Sequence, residues 1–163
     1  MTTLQETIDQ AKANFLQAKE SIKHALATTP DDRINWSPSP TARTPIEQVA
    51  HSAWAIKSIH DMLDGRPLQT KETAEADRDF REWEKQFRTR EQVLSLLDQN
   101  GAAYLKWLDA LTPERLATQV KAPFGLGSVP MSLALTFVPY QIRVHAHQID
   151  YIQTIYGDRD WHM

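Results

Sequence analysis

The sequence predicts an all-α protein, a four-helix bundle with one additional short helix between its second and third long helices. Along four segments, apolar residues recur at alternating spacings of three and four, which places them on one face of a helix. Proline, glycine and polar residues cluster between these segments, and apolar–polar alternation is nowhere sustained long enough to build a sheet. Its 163 residues suit one domain, which we expect to span residues 1–163.

The first long helix is predicted between about residue 4 and about residue 28. A connecting loop follows, because Pro30, Pro38 and Pro40 have fixed φ angles and lack the amide hydrogen that a helix uses. The apolar face of the helix consists of residues spaced four and three apart: Leu4, Ile8, Ala11, Phe15, Ala18, Ile22 and Ala25.

The second long helix is predicted to begin after Thr44, which forms a capping box with Glu47, and Pro45 suits the first helical position. Gly65 and Pro67 supply its end. Its apolar stripe is Ile46, Val49, Ala53, Ile56, His60 and Leu63. The next segment, from about 68 to 90, is strongly charged. We expect it to contain a short amphipathic helix across the bundle, since three aromatic residues have helical spacing: Phe80, Trp83 and Phe87.

The third long helix is predicted to be capped by Thr89, with Gln92 at the third helical position, and to end at Thr112 and Pro113. Its buried stripe is Val93, Leu97, Tyr104, Leu108 and Leu111. A loop rich in glycine and proline is expected over 123–130. The last helix should then run from about 130 to about 156, with Gly157 as its stop.

Composition excludes several classes of function. A net charge of −3 gives no large positive field for a phosphate backbone, so we expect no nucleic-acid partner. The absence of cysteine excludes disulfides, thiolate metal ligands and a cysteine nucleophile, so thiol chemistry would need an external thiol. No apolar segment approaches the ~20 residues that span a bilayer, and the first residues do not resemble a secretory signal. We therefore expect a cytoplasmic protein without membrane partners.

The last helix contains the most informative polar residue, His145, which lies in an apolar stripe. Gln141 lies one turn earlier and flanks the same stripe, whereas His147 is roughly 160° away around the helix. A buried imidazole requires a hydrogen-bonding partner or a metal ion, because an unpaired buried polar group is costly. Either solution remains open from the sequence. The apolar members of the stripe are Val138, Ile142, Ile149 and Ile152.

The second helix contains two histidines, and periodicity favours His60 as the one that faces the core. His51 lies on the flank of the apolar stripe, beside Trp54, and is buried only if that helix has partners on two sides. His24 and His162 have no supporting pattern, and we interpret them as surface histidines.

Three segments together resemble the DinB/YfiT-like family. Residues 44–54, TPIEQVAHSAW, contain His51 early in the second helix. In the last helix His145 is followed three residues later by Gln148, at the start of a Gln-Ile pair, and residues 36–43, WSPSPTAR, form a similar preceding loop. The resemblance covers most of the chain and implies a four-helix bundle.

The resemblance also implies a metal site. Metal-binding members use one histidine of the second helix and two of the last helix, which correspond to His51, position 141 and His145. Position 141 is glutamine here, and a neutral amide oxygen binds Zn²⁺ or Ni²⁺ more weakly than an imidazole nitrogen does. The implied metal ligands are therefore His51, Gln141 and His145, with reduced affinity.

Three functional hypotheses follow. The first, implied by the family, is a divalent-metal-dependent enzyme such as a transferase that uses a low-molecular-weight thiol. The second is a metal-free bundle that binds a small molecule in a polar pocket formed by His51, Gln141 and His145. The third is a structural or interaction protein acting as a homodimer. The sequence does not identify a substrate, a metal or a thiol.

Overall fold

A computed structural model describes residues 3–66 and 72–163. Four long helices form a bundle, and a shorter helix lies between the second and third of them, as the sequence predicts. Two parts of the prediction lie outside the described residues: Pro67, which was expected to help end the second helix, and residues 68–71 of the segment expected to contain the short helix. In chain order the elements are α1 (Leu4–Ala27), α2 (Pro45–Leu63), α3 (Thr73–Glu84), α4 (Arg90–Asp109), α5 (Pro113–Leu116), β1 (Gln119–Lys121), β2 (Ser128–Pro130), α6 (Met131–Ala134) and α7 (Phe137–Ile155).

Capping boxes begin α2 and α4, and both were predicted. The Thr44 hydroxyl accepts a hydrogen bond from the Glu47 amide at 3.2 Å, and the Glu47 carboxylate accepts one from the Thr44 amide at 2.8 Å. Thr89 and Gln92 form the equivalent pair at the start of α4. These bonds satisfy amides that have no partner inside the helix, so the sequence determines where both helices begin.

α1 and α7 lie side by side and run in the same direction. Gln153, near the end of α7, donates a hydrogen bond of 3.1 Å to the carbonyl of Ala25, near the end of α1. Earlier in both helices, the Arg143 guanidinium donates to Gln17 Oε1 at 3.0 Å. The two contacts occur in the same order along both helices, so the pair is parallel.

α2 and α4 form a second parallel pair. Asn100 donates to the carbonyl of Ala53 at 2.8 Å, and further along both helices Trp107 donates to Asp64 at 3.1 Å. Against α1 the order is reversed, since salt bridges join the start of α1 to the end of α4. The bundle therefore consists of two parallel pairs that are antiparallel to each other. The reversed salt bridges are Lys12–Asp109 and Lys19–Asp98.

Gly101 lies inside α4, where glycine is usually unfavourable, and packing explains its presence. A Cβ atom at this position would lie 3.0 Å from Cζ of Phe15 on α1. The Phe15 ring in turn packs edge-to-face against Tyr104, with ring centroids 5.2 Å apart. The glycine therefore allows α1 and α4 to approach closely around a buried aromatic pair.

The segment between α4 and α7 is more structured than predicted. β1 and β2 pair antiparallel, with Val120 opposite Val129, in a region where no sheet was expected. The expectation of no sheet was wrong for these three-residue strands, which are too short to show recognisable alternation. A further short helix, α5, begins directly after the predicted end of the third long helix at Thr112 and Pro113, and Thr112 caps it by accepting a hydrogen bond from the Arg115 amide.

The predicted last helix is interrupted. α6 ends at Ala134 and α7 begins at Phe137, so one predicted helix is two. Pro139 explains the break, because it lacks an amide hydrogen and its ring clashes with a helical carbonyl four residues earlier, at Leu135. At the other end Gly157 has a φ of +97°, and its predicted role as a stop is confirmed. Among the described helices, none has the length and apolar character needed to cross a membrane.

Candidate functional site

The site is formed around two imidazoles. His51 on α2 and His145 on α7 lie next to each other, with ring centroids 4.8 Å apart and planes inclined by 68°. The His51 side chain is 14% exposed and His145 is 6% exposed. The packing of α2 against both α4 and α7 brings the flank of α2, and with it His51, into the interior.

His60, which periodicity favoured, lies elsewhere. Its ring packs against Tyr104 at 6.0 Å and Trp107 at 5.6 Å between ring centroids, both on α4. Burial lowers the pKa of His60, although Asp61 and Asp64 oppose this effect. Because α4 covers one side of α2 and α7 covers the other, the two histidines of α2 face different partners, and only His51 reaches His145.

Glu84, at the end of α3, orients His51. His51 Nδ1 lies 2.6 Å from Glu84 Oε1, and the Glu84 side chain has no exposed surface. Arg43 Nε donates to the other carboxylate oxygen at 2.6 Å. Burial would raise the pKa of Glu84, but the hydrogen bonds from His51 and Arg43 outweigh it and lower the pKa below its ordinary value. The carboxylate is therefore ionised and accepts the hydrogen of His51 Nδ1.

Glu84 is absent from the residues that the sequence suggested for the site. A weak signal was present, since Ala76, Phe80 and Glu84 are four residues apart and share one face of α3. A carboxylate on an otherwise apolar face indicates a buried polar contact. The charged composition of the surrounding segment concealed this signal.

An ion-pair network holds α3 against the loop before α2. The Arg43 guanidinium contacts Asp77 Oδ1 at 3.2 Å as well as Glu84, and Arg81 Nε donates to Asp77 Oδ2 at 2.7 Å. Arg81 also donates to the carbonyl of Thr41 at 2.8 Å. Hydrogen bonds from Arg81 and Arg43 lower the pKa of Asp77. The network fixes Glu84 in the position from which it contacts His51.

His145 is held by two amides. Its Nδ1 lies 2.6 Å from Gln48 Oε1 on α2 and 2.8 Å from Gln148 Oε1 one turn along α7. Burial, with a contribution from the neighbouring His51, lowers the pKa of His145 to about 4, so the ring is neutral at pH 7. Because both partners are carbonyl oxygens, Nδ1 carries the hydrogen and Nε2 retains its lone pair.

Aromatic side chains form one wall beside His51. The Phe80 ring lies 5.5 Å from His51 and the Trp54 ring lies 5.8 Å from it, measured between centroids. Trp54 and Phe80 contact each other at 4.1 Å. This apolar wall excludes water from one side of the imidazole, which strengthens its interactions with charged groups.

The other residues considered from the sequence are arranged as follows. Gln141 is half-buried on α7, one turn before His145, and its side chain forms no hydrogen bond with another described residue. No group of three histidine, aspartate or glutamate side chains in the described ranges has the arrangement of a metal site. His147 is exposed on α7, and His162 contacts Asp158 at 2.8 Å and the exposed His24. The ligand set of His51, Gln141 and His145 remains a prediction.

The fold and the adjacent imidazoles of His51 and His145 together define an all-α helical domain with a polar centre. The chain belongs to the DinB superfamily, because the sequence model of that superfamily matches residues 14–149. A comparison with curated protein sequences finds no significant match.

Several solved structures share the fold. YfiT from Bacillus subtilis, described as a probable metal-dependent hydrolase with an unusual four-helix bundle topology, is 13% identical, with a TM-score of 0.72 over 96% of this chain and 91% of that one. A conserved protein from Enterococcus faecalis is 17% identical, with a TM-score of 0.69 over 92% and 97% of the two chains. A mycothiol-dependent maleylpyruvate isomerase is 14% identical, with a TM-score of 0.67 over 91% of this chain and 63% of that one.

Proposed function

We propose that the protein is a divalent-metal-dependent enzyme whose ion is held by the imidazoles of His51 and His145. One observation carries this proposal. The two rings are adjacent, with centroids 4.8 Å apart, and each uses Nδ1 for a contact within the protein, so each Nε2 remains available. Imidazole nitrogens are common ligands of zinc and nickel.

The surroundings of the pair support metal binding. A histidine that binds a metal through one nitrogen usually donates its other hydrogen to a carboxylate or carbonyl, which fixes the ring. Glu84 is such a partner for His51 Nδ1, and the carbonyl oxygens of Gln48 and Gln148 are such partners for His145 Nδ1. Gln141 adds a third, weaker oxygen donor. Two strong donors and one weak donor suit a loosely held Zn²⁺ or Ni²⁺ ion with open coordination positions.

The reaction we propose uses an external low-molecular-weight thiol and a small-molecule substrate. A bound divalent ion lowers the pKa of a thiol or water that it coordinates, which generates a nucleophile at neutral pH. The chain contributes no thiol of its own, since it has no cysteine. Descriptions of structural neighbours as mycothiol-dependent and as probably metal-dependent support this class of chemistry. Within the chain, Glu84 positions His51, and Trp54 with Phe80 excludes water. We place the enzyme in the cytoplasm.

A metal-free bundle that binds a small molecule is the second candidate, and one observation favours it. Position 141 holds glutamine, so only two imidazoles converge at the site. In that case the polar groups around His145 would recognise a ligand without covalent chemistry.

Metal content distinguishes the two candidates. We would measure bound metal in purified untagged protein by elemental analysis, together with Tm in the presence and absence of added Zn²⁺ and Ni²⁺. The enzyme proposal predicts a Tm that rises with either ion, because a ligand of the folded state stabilises it by mass action. The increase should disappear in His51→Ala and in His145→Ala.

His60→Ala is the matched control, since His60 is on the same helix but packs against α4. It should retain the metal-dependent increase. A wild-type Tm that does not respond to either ion would exclude the metal enzyme and leave the binding bundle. Loss of the response in His60→Ala as well would contradict a site formed specifically by His51 and His145.

A further inference from the structure

A cavity of about 300 Å³ lies beside the histidine pair, and neither imidazole forms its wall. Gln48 and Gln148, the two amides that hold His145, are part of its lining. Ile152 and Ile155 of α7 form an apolar wall. The cavity is therefore a second space, separated from His145 by a layer of two amide side chains.

Its charged walls are two arginines, Arg43 and Arg81, and no carboxylate belongs to the described lining. Arg43 uses Nε for Glu84 and Nη2 for Asp77. Arg81 uses Nε for Asp77 and Nη1 for the carbonyl of Thr41. Among the described residues, Arg43 Nη1 and Arg81 Nη2 have no acceptor. Each guanidinium therefore keeps donors for a ligand in the cavity.

The ion pairs of Arg43 and Arg81 limit the charge of a ligand that this cavity can bind. Asp77 and Glu84 together already balance the two arginines, so the cluster has little surplus positive charge. The ligand is therefore held by hydrogen bonds from the unused Nη groups, and a dianion such as phosphate would bring more unbalanced charge than a single carboxylate, whose planar oxygens match these planar donors. The wall of Ile152 and Ile155 favours a ligand with an apolar body attached to that carboxylate.

We propose that this cavity binds a small organic monocarboxylate. Its carboxylate contacts Arg43 and Arg81, and its apolar portion packs on Ile152 and Ile155. The site goes beyond the proposed metal centre and does not require a metal ion. Because Gln48 and Gln148 line the cavity, the bound ligand contacts the same amides that orient His145.

Benzoate is a suitable probe, and benzamide of similar shape is its uncharged control. We would titrate both into chelator-treated protein by isothermal calorimetry and follow Tm in parallel. The proposal predicts saturable benzoate binding with a rise in Tm, and no binding of benzamide. In Arg81→Gln, benzoate should bind roughly tenfold or more weakly, since charge-assisted hydrogen bonds are lost.

Arg78→Gln is the matched variant, because Arg78 is on the same helix, its side chain is 73% exposed, and it does not line this cavity. It should bind benzoate as the wild type does. Equal weakening in Arg78→Gln, equal binding of benzamide, or tighter binding of inorganic phosphate than of benzoate would each overturn the proposal. Benzoate binding to protein that takes up no metal would overturn the metal enzyme alone, which keeps the two proposals separable.

Discussion

The contacts of single side chains explain how His51 and His145 differ. His145 was identifiable from the sequence, because an imidazole inside a regular apolar stripe stands out from its neighbours. His51 was indicated only by family resemblance, since periodicity along α2 favoured His60. The periodicity of apolar residues identifies one buried face of a helix. α2 has two buried faces, because it packs against both α4 and α7. Glu84 was missed because its burial depends on where α3 lies across the bundle.

Replacing Gln141 by histidine should strengthen metal binding. A third imidazole in place of an amide oxygen supplies a better ligand, so we expect Zn²⁺ affinity to increase on the order of tenfold or more in Gln141→His. Isothermal calorimetry with Zn²⁺ measures the change, and Gln141→Asn controls for altered packing. Unchanged affinity in Gln141→His would show that position 141 does not converge with His51 and His145.

Replacing Glu84 by glutamine should weaken both stability and metal binding. The variant retains the shape of the side chain but leaves Arg43, which is largely buried, with the half-exposed Asp77 as its remaining charged partner. We expect a loss of about 1–3 kcal/mol in the free energy of unfolding, and a roughly 10–100-fold loss of metal affinity. Urea unfolding and Zn²⁺ calorimetry test the two effects.

Glu82→Gln is the control for that variant, because Glu82 is exposed on the same helix and its carboxylate pairs with the exposed Lys85. Its stability and metal affinity should match those of the wild type. A Glu84→Gln protein as stable as Glu82→Gln would contradict the structural importance of the buried carboxylate.

Individual helices were predicted well at their beginnings and less well at their interruptions. Capping boxes are local, so Thr44 and Thr89 fixed two helix starts from sequence alone. Pro139 is visible in the sequence, but the predicted last helix, from about 130 to about 156, includes it. The strands β1 and β2 were not predicted, because three residues are too few to show apolar–polar alternation. Glycine is unfavourable inside a helix, and only the position of Phe15 explains Gly101 in α4.

A larger residue at Gly101 should separate α1 from α4. In Gly101→Val the new side chain meets the Phe15 ring, since even a Cβ atom would lie 3.0 Å from it. We expect a loss of about 1–3 kcal/mol in the free energy of unfolding, typical of overpacking in a core. Ala102→Val is the control, because Ala102 is exposed on the next position of the same helix. Urea unfolding of both variants should show a substantial loss only for Gly101→Val.

The arrangement of the complete bundle could not be read from the sequence. Periodicity predicts that four helices share a core but not which of them are neighbours. The loop between α1 and α2 contains several prolines and is long enough to let the chain cross the bundle. As a result α1 packs mainly on α7, while α2 lies between α4 and α7.

We also predict that the protein is a homodimer, since two-fold symmetric dimers are the commonest soluble homo-oligomers. Sedimentation equilibrium at several concentrations should give twice the mass of one chain. A single species with the mass of one chain across micromolar concentrations would contradict this prediction. The measurement is independent of metal and of benzoate.

The parallel arrangement of α1 and α7 has a mechanical consequence. The beginning of α1 and the end of α7 lie at opposite ends of the bundle, separated by about the length of a helix, ~36 Å at 1.5 Å per residue. Tension applied between these two points would slide the helices along each other, in a shear geometry that strains all of their contacts together. A bundle in which neighbouring helices alternate in direction would instead open like a zipper, one contact after another. We therefore expect this protein to withstand stretching unusually well for an all-helical domain.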